Sequence, residues 1–167
     1  MPFEVRPVDV VEEDEGAPVA VAAENALRKA VAGNARPDEV VLGVDTIVVT
    51  ELEIWGKPPN EDAARETLRH LGGRTHRVIS GVALVDEGGG VRAAEATTDV
   101  TFRPLDDAMI DWYVGSGEWD GRAGGYAIQG RGGALVERID GDYLNVVGLP
   151  VGTLLGLWPA LLDLAVA

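Results

Sequence analysis

The stretch Val40 to Val49, VVLGVDTIVV, constrains this chain more than any other. Valine and isoleucine at this density suit a strand and lose side-chain freedom in a helix. One acid, Asp45, stands in its middle. A carboxylate among Val41, Leu42, Val44, Ile47 and Val48 is costly unless a cation, a metal ion or hydrogen bonds meet it. Two readings follow. Asp45 is an edge-strand acid pointing at water, or a buried acid of the kind that gathers at functional sites. A reversal and Gly56-Lys57-Pro58 come next, setting a lysine twelve positions after the acid.

The flanking segments read as further elements around that strand. Phe3 to Val11 alternates loosely, as a short strand does, and Glu12 to Gly16 is an acidic turn that favours the start of a helix. Pro18 to Ala32 is an alanine-rich helix stopped by Gly33-Asn34. Thr50 to Gly56 returns as a strand. Asn60 caps a helix whose buried stripe is Ala64, Leu68 and Leu71, closed by Gly72-Gly73. Arg74 to Val85 and Val91 to Arg103 form a long hairpin about a glycine-rich turn. A short helix over Asp106 to Tyr113 follows, then a glycine-laden loop to Gly125. Tyr126 to Val147 reads as strand-turn-strand, and Pro150 to Leu164 as an amphipathic helix kinked at Pro159. With no repeat or linker in 167 residues, this is one α/β domain, a mixed, twisted β-sheet flanked by helices.

Charge and composition exclude several classes of function. The net charge of −14 argues against a nucleic-acid partner, which needs a basic footprint. No apolar run approaches the roughly 18 residues of a membrane span. The opening residues, MPFEVRPVDVVEEDE, carry neither a basic nor an apolar signal region, so a cytoplasmic location without membrane contact is expected. Zero cysteines remove disulfides and thiolate metal sites. Only two lysines, Lys29 and Lys57, stand among the 14 basic residues.

Catalytic alternatives narrow in the same way. Ser80 and Ser116 are the only serines, and neither lies in G-x-S-x-G. His70 and His76 are the only histidines, too few for a zinc site without thiols. GKP is no Walker A loop, and GRAGGYAIQGRGG is no dinucleotide fingerprint. Carboxylate, lysine, arginine and amide groups remain. That set suits a hard cation and a phosphate ester.

Five blocks in order, VLGVDTIVV, GKP, HLGGRTHRVISGVAL, GRAGGYAIQGRGG and GDYLNVVGLP, resemble the Maf family of nucleoside-triphosphate pyrophosphatases. The resemblance runs from about Phe3 to about Leu155. It implies a fold like that of Maf and inosine-triphosphate pyrophosphatases, and release of pyrophosphate from dTTP or UTP with Mg²⁺ or Mn²⁺. It implies Asp45 as proton acceptor and metal ligand, and Glu12, or alternatively Glu13, as the second metal-holding acid. Lys57 matches the phosphate-contacting lysine, Thr46 helps choose the base, and Gln129 marks the thymidine and uridine branch. Lys29 falls in the family's Ala-x-x-Lys-Ala helix as a substrate contact, although the sequence alone favours an exposed helix lysine. Tyr126, Asn145, Gly148 and Pro150 match positions that shape the cleft, whereas Arg74 and His76 read as local hydrogen-bonders.

The resemblance also implies a homodimer, and it carries a second possibility, a non-catalytic regulator of septum formation. Two departures stand out. Arg122-Ala123-Gly124 replaces Lys-Ala-Gly. The family's opening strand, Ser-x-Ser-Pro-Arg-Arg loop and helix have no counterpart in these residues, so weak activity is expected of this polypeptide.

Overall fold

The structure is a computed structural model that describes residues 3–51 and 53–164. The valine-rich stretch is strand β1, Val40–Val49, near one side of a five-stranded sheet. The sheet runs β2 (Ile54–Trp55), β1, β3 (Thr75–Asp86), β4 (Val91–Phe102), β5 (Val136–Asp140). A mixed sheet is the sequence expectation. Every ladder among the described residues is antiparallel. The hairpin of β3 and β4 is the longest, with Thr75 opposite Thr101 and Val85 opposite Val91.

Alternation along the strands sends side chains to two faces. Val21 and Ala22 of helix α1 (Pro18–Ala32) meet Ile47, Val49 and Ile79 on one face. Ala26 and Ala30 of the same helix meet Ala83 and Val85. On the other face, α2 (Glu61–Leu71) and α3 (Asp107–Val114) cover Val48, Val78, Val100 and Phe102 with Leu68, Leu71, Ile110 and Tyr113. Three short helices follow among the described residues: α4 (Tyr143–Val147), α5 (Val151–Leu157) and α6 (Leu161–Leu164).

The approach of α1 to the sheet decides where the chemistry lies. Ala22, Ala26 and Ala30 are wholly buried, so the helix backbone rests directly on the strands. A Cβ on Gly43 would stand 2.2 Å from the Ala26 carbonyl oxygen, and one on Gly81 2.3 Å from that of Ala22. Glycine on the strands and alanine on the helix bring the two backbones together. Polar residues of α1 beside that seam therefore lie within reach of β1.

Several local expectations give way. Phe3 to Val11 is irregular chain laid along α1 rather than a strand, tied down by Arg6 donating to the Gly33 carbonyl and Arg28 to that of Val11. The returning strand shrinks to Ile54–Trp55, and Leu52 lies outside the described residues. Tyr126 to Val147 holds one strand, preceded by a 3₁₀ turn over Arg131–Leu135 and followed by α4. Asp142 caps α4 by accepting from the Leu144 amide, which turns the expected second strand into a helix. The last helix breaks in two at Trp158 and Pro159.

Candidate active site

Asp45 belongs to the odd-numbered side of β1, the side that α1 covers. It is 7% exposed, so the edge-strand reading fails and the acid must find partners. It finds two on α1, one turn apart. Lys29 Nζ donates to its Oδ1 at 2.6 Å, and Asn25 Nδ2 to its Oδ2 at 3.3 Å. Lys29 is thus no free helix lysine. Its ammonium also lies 2.6 Å from Glu12 Oε1, bridging the two acids.

Electrostatics follow from that bridge. Burial alone would lower the Lys29 pKa, but hydrogen bonds to Asp45 and Glu12 outweigh it and hold the ammonium above its ordinary value. The Lys29 hydrogen bond holds Glu12 below the usual carboxylate range, and the charge of Lys57 adds to the effect. Glu13 points elsewhere, pairing with Arg28 at 2.6 Å. Of the two acids open at the sequence level, Glu12 is the one beside Asp45.

Among the described residues, strand β2 pairs with β1 only at Val48 and Val49, and no strand flanks the stretch around Asp45 on that side. A cleft opens there, lined by Lys29, Asp45, Thr46, Lys57, Arg122, Tyr126 and Gln129. Asp45, Lys57 and Gln129 therefore share one cavity. Thr46, one residue along, faces the opposite side of the sheet, and its hydroxyl lies 2.8 Å from that of Ser80 on β3.

The far wall is the glycine-rich loop. Gly124 sits at φ 65° and donates to the Gly56 carbonyl, seating the loop on the segment that carries Lys57. A Cβ at Gly124 would come 2.9 Å from Val48, a second reason for glycine there. Arg122 takes its place in the lining from this loop. Gln129 stands in a turn closed by Gly130 donating to the Ala127 carbonyl. The Ala127 amide in turn donates to the hydroxyl of buried Tyr113, whose pKa burial pushes up to about 12.

Beneath the cleft, Tyr126 Oη lies 2.9 Å from His76 Nε2, and both rings meet Phe102 edge-on. Burial drives the His76 pKa down to about 4, so it is a neutral support beneath Tyr126. Asn145 donates to the Val78 carbonyl and to Thr98 Oγ1, and Gly148 with φ 118° completes the rim. Arg74 lies away from the cleft beside His70. Asn25 and Ser80 carry no motif that singles them out. The available signal for Asn25 is its place one turn before Lys29, as the polar residue among the apolar Val21, Ala22, Ala26 and Ala30 of the same face.

A divalent cation can be tested against this donor set. Among the described residues, no group of three or more histidines, cysteines and acids is placed to hold one alone. Two carboxylates, Glu12 and Asp45, converge on a single ammonium. Hard oxygens in that number suit Mg²⁺ or Mn²⁺ when substrate oxygens and water complete the shell, so the residues fit.

Comparison with known proteins bears on the chain as a whole. A family model described as Maf-like protein matches residues 1–160. A dTTP/UTP pyrophosphatase of Bacillus cereus is 47% identical over 159 residues, covering 92% of this chain and 82% of that protein. One from Symbiobacterium thermophilum is 50% identical over 127 residues, 75% of this chain and 65% of the relative. The protein of the same name from Pyrococcus furiosus is 45% identical over 115 residues, and the match spans 60% of its length. With a family match along nearly its whole length and relatives this similar, the chain belongs to the Maf-like protein family.

Proposed function

We propose that this protein hydrolyses dTTP and UTP to the monophosphate and pyrophosphate. One observation carries the reading: Asp45, Lys29, Lys57 and Gln129, separate in sequence, line a single cleft with two cations opposite one buried acid. The similarity to enzymes named dTTP/UTP pyrophosphatase supports it.

In this reading Lys57 and Arg122, on facing segments, hold the phosphate chain and offset the repulsion of a protein with net charge −14. Arg122 presents a planar fork to two oxygens, whereas Lys57 acts as a point charge. Gln129 offers a donor and an acceptor to the mixed edge of uracil or thymine, and Thr46 contributes to the choice of base. Asp45 accepts the proton of the water that attacks the α-phosphorus. The water oxygen bonds to that phosphorus as the bond to the bridging oxygen of pyrophosphate breaks.

Glu12 and Asp45 would hold Mg²⁺ or Mn²⁺, which supplies charge neutralisation for the leaving pyrophosphate. Lys29, protonated throughout the neutral range, keeps both acids together before the nucleotide arrives. A small nucleotide substrate and an acidic surface suit an enzyme of the cytoplasmic pool that engages neither nucleic acid nor membrane. No described helix is long and apolar enough to cross a bilayer. A homodimer is tested by light scattering.

The direct test is pyrophosphate release from UTP and dTTP by wild type and Asp45→Asn. Asparagine keeps the shape and removes both the base and the charge. Turnover should fall at least ~10²-fold, the range of a lost general base. Asp45→Asn with undiminished turnover would defeat the assignment, and a regulatory role would then gain ground.

A further inference from the structure

Asn25 has no part in the chemistry above, yet it is among the most constrained side chains in the molecule. It is 2% exposed, in the middle of α1, on a face otherwise made of Val21 and alanines. Asparagine there opposes the helix by propensity and is costly to bury unless its amide is matched. The amide is matched. Oδ1 accepts from the Glu13 backbone N–H at 2.7 Å, and Nδ2 donates to the Glu13 carbonyl at 2.9 Å. The side chain thus binds both backbone groups of one residue, as a neighbouring strand would. Its third contact, to Asp45, is the long one at 3.3 Å.

The bound residue adjoins Glu12 in a stretch, residues 3–14, that has no regular secondary structure. A carboxylate on such a stretch has no fixed position unless its backbone is pinned. Glu12 is nonetheless held 2.6 Å from Lys29, which itself reaches Asp45. Pinning Glu13 on one side of the peptide fixes where the Glu12 side chain starts.

We propose that Asn25 is a positioning residue that clamps the Glu13 backbone and thereby delivers the Glu12 carboxylate to the cation-binding site beside Asp45. The inference rests on the metal-holding part of the proposed function. It adds that the acidic segment is a built component of that site, held by an amide from the helix. The Arg28–Glu13 pair, with both side chains substantially exposed, is a weaker tether than the buried clamp.

The test uses the whole chain with Mn²⁺ as the probe and hydrogen exchange as a readout independent of metal. Asn25→Ala removes the amide, and Asn25→Leu removes it while keeping roughly the same number of side-chain atoms. Protection of the β3 amides Ile79 to Leu84 reports whether each variant is folded. In metal-free protein, exchange across residues 9–16 should quicken at least ~10-fold in both variants. Mn²⁺ affinity should fall ~10- to 100-fold, the usual cost of losing a residue that orients a metal ligand. Because Asn25 acts through Glu12, adding Asn25→Ala to Glu12→Gln should cost no more than a further ~2-fold.

The clamp is overturned if exchange over 9–16 is unchanged. The delivery of Glu12 is overturned if Mn²⁺ affinity stays within about twofold of wild type, or if the two losses multiply. Wild type that binds no Mn²⁺ would defeat the metal reading itself, while the exchange comparison still decides the clamp.

Discussion

Replacing Lys29 with methionine perturbs the centre of the site at one atom. Methionine keeps an apolar stem of the same length, with sulfur in place of one methylene, and lacks the ammonium. That ammonium touches Asp45 and Glu12 at 2.6 Å each. The Asp45 side chain is 8% exposed, that of Glu12 42%. Stranding a buried acid by deleting its partner costs about 3–5 kcal/mol. The Glu12 arm, screened by solvent, adds little. Because Asp45 lines an open cleft and keeps its bond to Asn25, the cost should fall just below that range, about 2–3 kcal/mol. For a chain of this size that corresponds to a melting temperature lower by ~5–10 °C. Calorimetry in chelator at neutral pH measures it. The decisive arm is Lys29→Met with Asp45→Asn. With no stranded charge left, the double variant should melt above Lys29→Met alone. A Lys29→Met protein that melts within ~2 °C of wild type would refute the reasoning. So would a double variant whose losses simply add.

Two further outcomes follow from burial. His76, with its pKa lowered to about 4 from an ordinary 6.5, takes up a proton more readily unfolded than folded. Its contribution is therefore complete above about pH 6.5 and is lost as pH falls toward 4, worth up to ~3 kcal/mol. Asp99, whose charge opposes the shift, tempers it, and His76→Asn should flatten the pH–stability curve in that window. An unchanged slope in denaturant titrations would contradict this. At the seam of α1 and β1, Gly43→Ala would force a Cβ against the Ala26 carbonyl oxygen at 2.2 Å. It should destabilise by ~1–3 kcal/mol or more and reduce turnover by displacing Asn25 and Lys29 together. Full stability and turnover in Gly43→Ala would show that the close approach is dispensable.

Much of the arrangement was legible in the residues because each signal was strong and local. β1 announced itself by its valines, α1 by its alanines and the Gly33 stop, and α2 by the Asn60 cap, whose side chain accepts from Ala63. The shared cleft was legible only through the family resemblance, since nothing in periodicity brings residues 45, 57 and 129 together. Tyr126 to Val147 departs from strand-turn-strand because its short apolar runs fit strand and helix equally, and capping by Asp142 decides for the helix. Phe3 to Val11 alternates as a strand does, but Arg6 and Arg28 fasten it to carbonyls at the end of α1 and within the segment itself. Asn25 was hidden for another reason. Its partners are backbone groups of Glu13, and a side chain that recognises backbone leaves no pattern in residue types.

Hydrolysis of UTP in ¹⁸O-water, with the products resolved by mass, bears most directly on the chemistry assigned to this cleft. Attack at the α-phosphorus by the water that Asp45 deprotonates places one heavy oxygen in UMP and none in pyrophosphate, and the label should vanish with Asp45→Asn. Heavy oxygen in pyrophosphate, or release of orthophosphate as the first product, would contradict it.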